Sequence, residues 1–246
     1  MNKTCWGKED ISRKFDAYDD YLENILGYET IIQSLKENIS KDSKILDYGC
    51  GGGKVTRRLK DAGFSSLIGV DISSTMIEKA RTNPLSEGIE FNIIESGEIP
   101  APDNYYSAIV CCYVLINVHS KEEFNKIINE LYRVLKPGGQ LYVLNTNPDT
   151  TGIQFANFQN GEEGVRYVDT DIRKVTLKMP HGEDFVIYDT HWETNTYLSS
   201  LASSGFSEIS CRQDTLNNIK LGSGQQPYHF NNEYKYAPFL IVHATK

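Results

Sequence analysis

A doubly wound α/β fold, with helices on both faces of a mostly parallel sheet, follows from three features of this sequence. Short apolar runs alternate with segments of helical period through residue 146. Glycines crowd the turn after the first run, in DYGCGGGK (47–54), and an acid, Asp71, ends the second, SLIGVD (66–71). Strand, glycine turn and helix, then strand and acid, is the order in which a βαβ unit presents a ligand site at its carboxyl edge.

The elements follow in order. Ile11, Phe15, Tyr18 and Leu22 share one face of a helix predicted over 9–24, and Tyr28, Ile31, Ile32, Leu35 and Ile39 mark a second. These form an N-terminal helical cap over about 9–40. SKILDYG supplies the first strand, SLIGVD the second; SAIVCCYVLINV (107–118) contains a third and GQLYVLNT (139–146) is a fourth. Between the last two, Ser120 and Glu123 form a capping box. Phe124, Ile127, Ile128, Leu131 and Leu135 then recur at helical period, and LKPGG (135–139) stops the helix.

After residue 147 the alternation breaks. A polar loop leads to IRKVTLKM (172–179) and DFVIYDT (184–190), joined by MPHGED, so a small β hairpin is expected within an inserted cap or lid at about 147–192. ETNTYLSSLASSGF (193–206) returns to helix, and FSEISCR and PFLIVHA read as closing strands. With no internal repeat or low-complexity linker, residues 1–246 read as one domain.

Bulk properties narrow the function. A chain of 246 residues buries a substantial core, and a formal charge of −8 argues against a broad nucleic-acid surface. The five cysteines (Cys5, Cys50, Cys111, Cys112, Cys211) follow no metal spacing, and an odd count suits no complete disulfide framework. They read as reduced thiols of a cytoplasmic protein, with no metal site. Neither a signal-peptide core nor a bilayer-length apolar stretch is present, so no membrane partner is expected. The oligomeric state stays open.

Three ligands compete for the glycine turn. A triphosphate loop needs glycine five places before its Gly-Lys pair and Ser or Thr after it; Tyr48 and Val55 stand there. A dinucleotide turn counted from Gly49 and Gly51 needs glycine at 54, which is Lys54. What fits is Asp47, Gly49, Gly51 and Gly53 at alternate positions, with Asp71 to accept from both hydroxyls of a ribose. Glycine lets the ligand approach the backbone closely, and the Asp47 carboxylate suits a cationic head group rather than a phosphate.

ILDYGCGGGKVTRRL, IGVDISSTMIEKA, ESGEIPAPDNYYSAIVCCYVLINV and LYRVLKPGGQLYVLN together resemble, in order, the motifs of class I S-adenosylmethionine-dependent methyltransferases. The likeness runs from about residue 43 to 146 and implies a Rossmann-like, seven-stranded sheet with S-adenosylmethionine as cofactor. It assigns Gly49 and Gly51 to the methionine-side turn and Asp71 to the ribose. It sets Ile72 and Met76 beside the adenine, and Glu95 and Ser96 at its amino edge, with Glu where the family commonly has Asp. Cys112 or Tyr113 would lie under the sulfonium, and Tyr18 is a candidate for the methionine carboxylate.

The acceptor has to be read from the cap and the closing loop. Phe155, Phe158, Tyr167, Tyr188, His191, Trp192 and Tyr197, then Tyr228, His229, Phe230 and Tyr234, suit a flat heteroaromatic molecule. DFVIYDTHWETNTYLSSLASSGF (184–206) and EYKYAPFLIVHATK resemble the toxoflavin-synthase-like small-molecule N-methyltransferases. His191 or Trp192 is therefore expected at the acceptor pocket, His191 with a catalytic role, and Tyr167, Tyr228 and His229 as further contacts; Tyr197 reads as helix packing. The expected reaction is transfer of a methyl group to nitrogen or oxygen of a small molecule. The alternatives are other S-adenosylmethionine chemistry, such as a cyclase or aminocarboxypropyl transfer, and a non-catalytic binding protein. An Asn or Asp-Pro-Pro-Tyr/Phe motif of the nucleobase-methylating type is absent, since residues 111–114 are Cys-Cys-Tyr-Val.

Overall fold

The computed structural model describes residues 4, 6, 8–219 and 229–246, side chains at 12 and 16 excepted. Its centre is a seven-stranded sheet in the order β3-β2-β1-β4-β5-β10-β9. The strands are β1 (Lys44–Tyr48), β2 (Ser66–Asp71), β3 (Glu90–Ile93), β4 (Tyr106–Cys112), β5 (Leu135–Thr146), β9 (Ser207–Arg212) and β10 (Phe239–Thr245). The first five run parallel, while β10 is antiparallel to both neighbours. This is a Rossmann-like α/β fold. The seventh strand, β3, was absent from the strands read off the sequence, because among its four residues only Phe91 is buried.

Buried strands make this sheet two-sided. Leu46, Ile109, Leu141 and Val143 face α6 (Lys121–Val134) and α7 (Thr194–Ser203). Ile45, Ala108, Val110 and Leu144 face the N-terminal helices and a second sheet. That second sheet is antiparallel, with β6 (Phe158–Asn160), β7 (Ile172–Leu177) and β8 (Phe185–Thr190) in sequence order. The expected hairpin is thus the β7–β8 pair, to which β6 adds a third strand from the segment read as a loop.

The helix expected over 9–24 is broken. α1 (Glu9–Ala17) ends where Tyr18 turns extended, α2 (Tyr21–Glu23) follows, and a π-helical turn, Asn24–Tyr28, leads into α3 (Glu29–Asn38). The π turn brings Gly27 against the sheet, where a Cβ would stand 2.8 Å from Leu144 Cδ2. Two helices flank the glycine turn and the acid, α4 (Lys54–Asp61) after the first and α5 (Ser74–Thr82) after the second.

Candidate active site

The carboxyl ends of β1, β2 and β4 open into a cavity of about 260 Å³. Gly49 and Cys50 both donate their amides to Val70 O, at 2.7 and 2.9 Å, which folds the turn back over β2. Gly49 has φ +74°, and a Cβ there would stand 2.2 Å from Val114 Cγ2, so the turn requires glycine. Asp71 fixes the turn from the other side: Oδ2 accepts from the Gly51 amide at 2.9 Å and Oδ1 from the Ser73 amide at 2.8 Å. Each oxygen retains a lone pair for a ligand hydroxyl. Burial raises the Asp71 pKa, and the Ser73 and Gly51 amides oppose the rise.

Asp47 lies beneath the turn, accepting from Thr56 Oγ1 at 2.6 Å, and burial pushes its pKa up to about 7. Ile72 projects into the cavity mouth with 65 % exposure, opposite Met76, which is buried. Gly53 has φ +79° and stands at the N-terminus of α4 behind the cavity. Lys54 bridges to Asp20 at 3.4 Å, and Arg58 reaches the same carboxylate at 3.1 Å.

At the far side of this half, Ser96 lines the cavity and donates to Glu123 Oε1 at 2.8 Å. Glu95, expected here, is exposed and turned away; Glu123, held at the capped start of α6, is the acid that faces the space. Cys112 and Tyr113 sit at the end of β4 as expected, the latter with φ +58°. Burial drives both their pKa values well up, so thiol and phenol stay protonated at neutral pH. The Tyr113 hydroxyl is buried with no hydrogen-bond partner among the described residues.

The other half of the cavity is apolar. Phe15 and Tyr18 from the N-terminal segment meet Phe158, Val175, Leu177 and Ile187 from the second sheet. Tyr18 donates to Glu23 Oε1 at 2.6 Å, and Asn157 Nδ2 donates to Glu23 Oε2 at 2.9 Å, tying the two segments together. Burial pushes the Glu23 pKa up to about 7 against the bonds from Tyr18 and Asn157. Trp6 closes one side, its Nε1 donating to Asn117 Oδ1 at 2.8 Å.

Three expected acceptor contacts, Trp192, His191 and Tyr167, are corrected by the structure. Trp192 is 1 % exposed and lies in the opposite core, packed on Phe124 with its Nε1 donating to Leu115 O at 3.0 Å and Val118 O at 3.2 Å. His191 is buried behind the second sheet, where its Nδ1 meets Arg173 Nη1 at 3.3 Å; burial and that guanidinium lower its pKa to about 4. Neither lines the cavity. Tyr167 stacks on His191 with ring centroids 5.9 Å apart and is likewise off the wall. His229 is exposed, and Tyr228 lies outside the described residues. Glu23 and Asp189 line the cavity without having been singled out in the sequence, and Glu123, read there as a capping residue, lines it too.

No group of three metal-ligating side chains occurs among the described residues, and none of their helices is long and apolar enough to cross a membrane. A glycine turn, a carboxylate ending the next strand and an adjoining apolar annex share one cavity. A family model described as a methyltransferase domain matches residues 45–139. N-demethylindolmycin N-methyltransferase of Streptomyces griseus is 30 % identical over 205 residues, covering 79 % of this chain and 86 % of that protein. A ubiquinone/menaquinone biosynthesis C-methyltransferase of Stutzerimonas stutzeri is 26 % identical over 88 % of this chain and 86 % of its own. An S-adenosylmethionine-dependent methyltransferase structure from Clostridium acetobutylicum shares the fold with a TM-score of 0.64 at 16 % identity, covering 96 % of this chain and 99 % of its own. The chain belongs to the S-adenosylmethionine-dependent methyltransferase family, and its cofactor is S-adenosylmethionine.

Proposed function

We propose that this enzyme methylates a nitrogen or oxygen of a small heteroaromatic molecule by direct in-line displacement. One observation carries the reading: a single cavity joins the Asp71 end to an apolar half enclosed by Phe15, Tyr18, Phe158 and Ile187. The N-methyltransferase name of the Streptomyces griseus relative supports a small-molecule acceptor. Phe158 and its neighbours give a flat ring apolar faces to pack on.

When bound, S-adenosylmethionine supplies an electrophilic methyl group and is left as S-adenosylhomocysteine. Asp71 would accept from the ribose hydroxyls, Ile72 and Met76 would flank the adenine, and Ser96 with Glu123 would meet its amino edge. Asp47 would lie beneath the methionine end, close to Gly49 and Gly51. Cys112 and Tyr113 line the wall where the methyl group would sit. The apolar half excludes water and orients the acceptor, and orientation alone supplies much of the acceleration in such a transfer.

The test is to incubate the protein with S-adenosylmethionine and a panel of heteroaromatic amines and phenols, and to analyse both products by mass. S-adenosylhomocysteine together with an acceptor one methylene heavier supports the reading. Methylthioadenosine would replace it with another S-adenosylmethionine chemistry, and activity only on tRNA or protein would overturn the small-molecule acceptor.

A further inference from the structure

Asp189 is a carboxylate in the apolar half with an oxygen that no described residue engages. Along β8, Phe185, Ile187 and Asp189 alternate onto the buried face. Ile187 and Asp189 reach the cavity beside Val175 and Leu177 of β7. Asp189 is 2 % exposed, and its Oδ1 has no hydrogen-bond partner among the described residues. A buried carboxylate oxygen facing hydrocarbon is costly unless a donor meets it.

The nearest candidate for such a donor is Arg173, which is paired with Asp189 in the β7–β8 register. Its two terminal nitrogens are committed elsewhere, while Nε has no hydrogen-bond partner among the described residues. Nη2 donates to Thr146 Oγ1 at 3.3 Å and to Thr190 O at 3.4 Å, while Nη1 meets His191 Nδ1 at 3.3 Å. No ion pair within 4.0 Å joins the two. Arg173 therefore supplies a favourable field at Asp189 without occupying its oxygens. Glu23, the other carboxylate in this half, differs in that both its oxygens are taken by Tyr18 and Asn157.

We infer that Asp189 is the acceptor-recognition group of the cavity and takes the N–H face of a nitrogen acceptor of amine or amidine type. The inference rests on the small-molecule reading above and narrows it to nitrogen. An N–H donor satisfies Oδ1, and a cationic ligand binds more tightly still because a charge-assisted bond in an apolar wall is stronger than a neutral one. The attacking form is the neutral one, whose lone pair is free once its proton has gone to solvent. The same carboxylate favours the product state. As the acceptor nitrogen bonds to the methyl carbon, the carbon–sulfur bond breaks with its electron pair going to sulfur. The positive charge moves from sulfur to nitrogen, and Asp189 is placed to face it. An oxygen acceptor with one hydroxyl, once ionised for attack, would instead be repelled.

The experiment is calorimetric titration of the protein, with and without S-adenosylhomocysteine, using benzamidine, benzamide and benzoate as near-isosteric probes of opposite or no charge. The wild type should bind benzamidine at least tenfold more tightly than benzamide and benzoate least. Asp189→Asn should erase that preference while leaving benzamide affinity and S-adenosylhomocysteine affinity within about twofold. Equal or weaker binding of benzamidine by the wild type overturns the inference, and so does a preference that survives in Asp189→Asn, which would point to Glu23. Should the variant fail to give a cooperative melt, the wild-type ranking decides alone. Failure of the wild type to bind S-adenosylhomocysteine would count against the proposed reaction, a result separate from the ranking of the three probes.

Discussion

The Asp71 carboxylate accepts from the Gly51 amide at 2.9 Å, so a side chain of the cavity wall also closes the glycine turn. Asp71→Asn keeps the shape but removes the charge, and its amide nitrogen opposes one of the two backbone donors. A hydrogen bond to a charged group contributes about 1.5–3 kcal/mol. S-adenosylhomocysteine affinity should fall roughly 10- to 100-fold, measured by calorimetry.

Gly49→Ala should be more damaging than its size implies. The new Cβ would stand 2.2 Å from Val114 Cγ2, on a backbone with φ +74°. The left-handed conformation alone costs an L-residue about 1–2 kcal/mol. We expect a lower melting temperature and loss of cofactor binding. In Gly49→Ala/Val114→Ala the clash goes but the strain stays, so thermal scans should show partial recovery only.

Stability should decline as pH rises from about 4 to 7. Glu23, Asp47 and Asp189 each have a pKa raised by burial to about 7 in the folded chain. A raised carboxylate stabilises the fold while protonated, fully so below its unfolded value, and that contribution is lost as pH climbs through the folded value. Each tenfold change in proton affinity is worth about 1.4 kcal/mol, which makes the contribution of a fully buried acid on the order of 3 kcal/mol. Glu130, held low by Arg133, acts in the opposite sense. Urea melts at pH 5 and pH 8 should show the decline, and Glu23→Gln should reduce it while Asp47 and Asp189 maintain the rest.

Trp192→Ala should affect folding and not recognition. The indole is buried against Phe124, 4.9 Å between ring centroids, and truncating an aromatic core residue costs about 3–5 kcal/mol. The chemical midpoint should drop accordingly. S-adenosylhomocysteine affinity of the folded fraction should be unchanged, and an altered ligand preference would place Trp192 at the cavity after all.

The cofactor half was legible because its chemistry is local. Glycines at alternate positions after a strand and an acid ending the next fix a backbone turn that no distant contact has to complete, and the structure brings Asp71, Ile72, Met76 and Ser96 around it. The acceptor half depends on which way each strand faces. His191 and Trp192 follow directly on β8, where a residue's composition says nothing of its direction once the strand ends at Thr190. One signal was available: Asp189 shares the alternate positions of Phe185 and Ile187, which puts an acid on an apolar face. Glu23, beside Leu22 and close to Leu26, gives a similar sign in the helical segment. Glu123 was hidden in plain view, because the capping-box spacing from Ser120 already accounts for an acid there, although in the fold its carboxylate accepts from Ser96 instead.

The chain holds two tryptophans, and they sit in opposite cores of the molecule. Trp6 stands in the cavity wall, bonded to Asn117 and packed edge-on against Phe15 at 5.0 Å, while Trp192 is sealed between Phe124 and the backbone of Leu115 and Val118. The protein therefore carries a pair of optical reporters with separate duties. A ligand entering the cavity changes the surroundings of the first indole, and unfolding exposes the second. In Trp6→Phe the emission that remains reports the fold alone, so its difference from the parent spectrum follows occupancy of the site without any label.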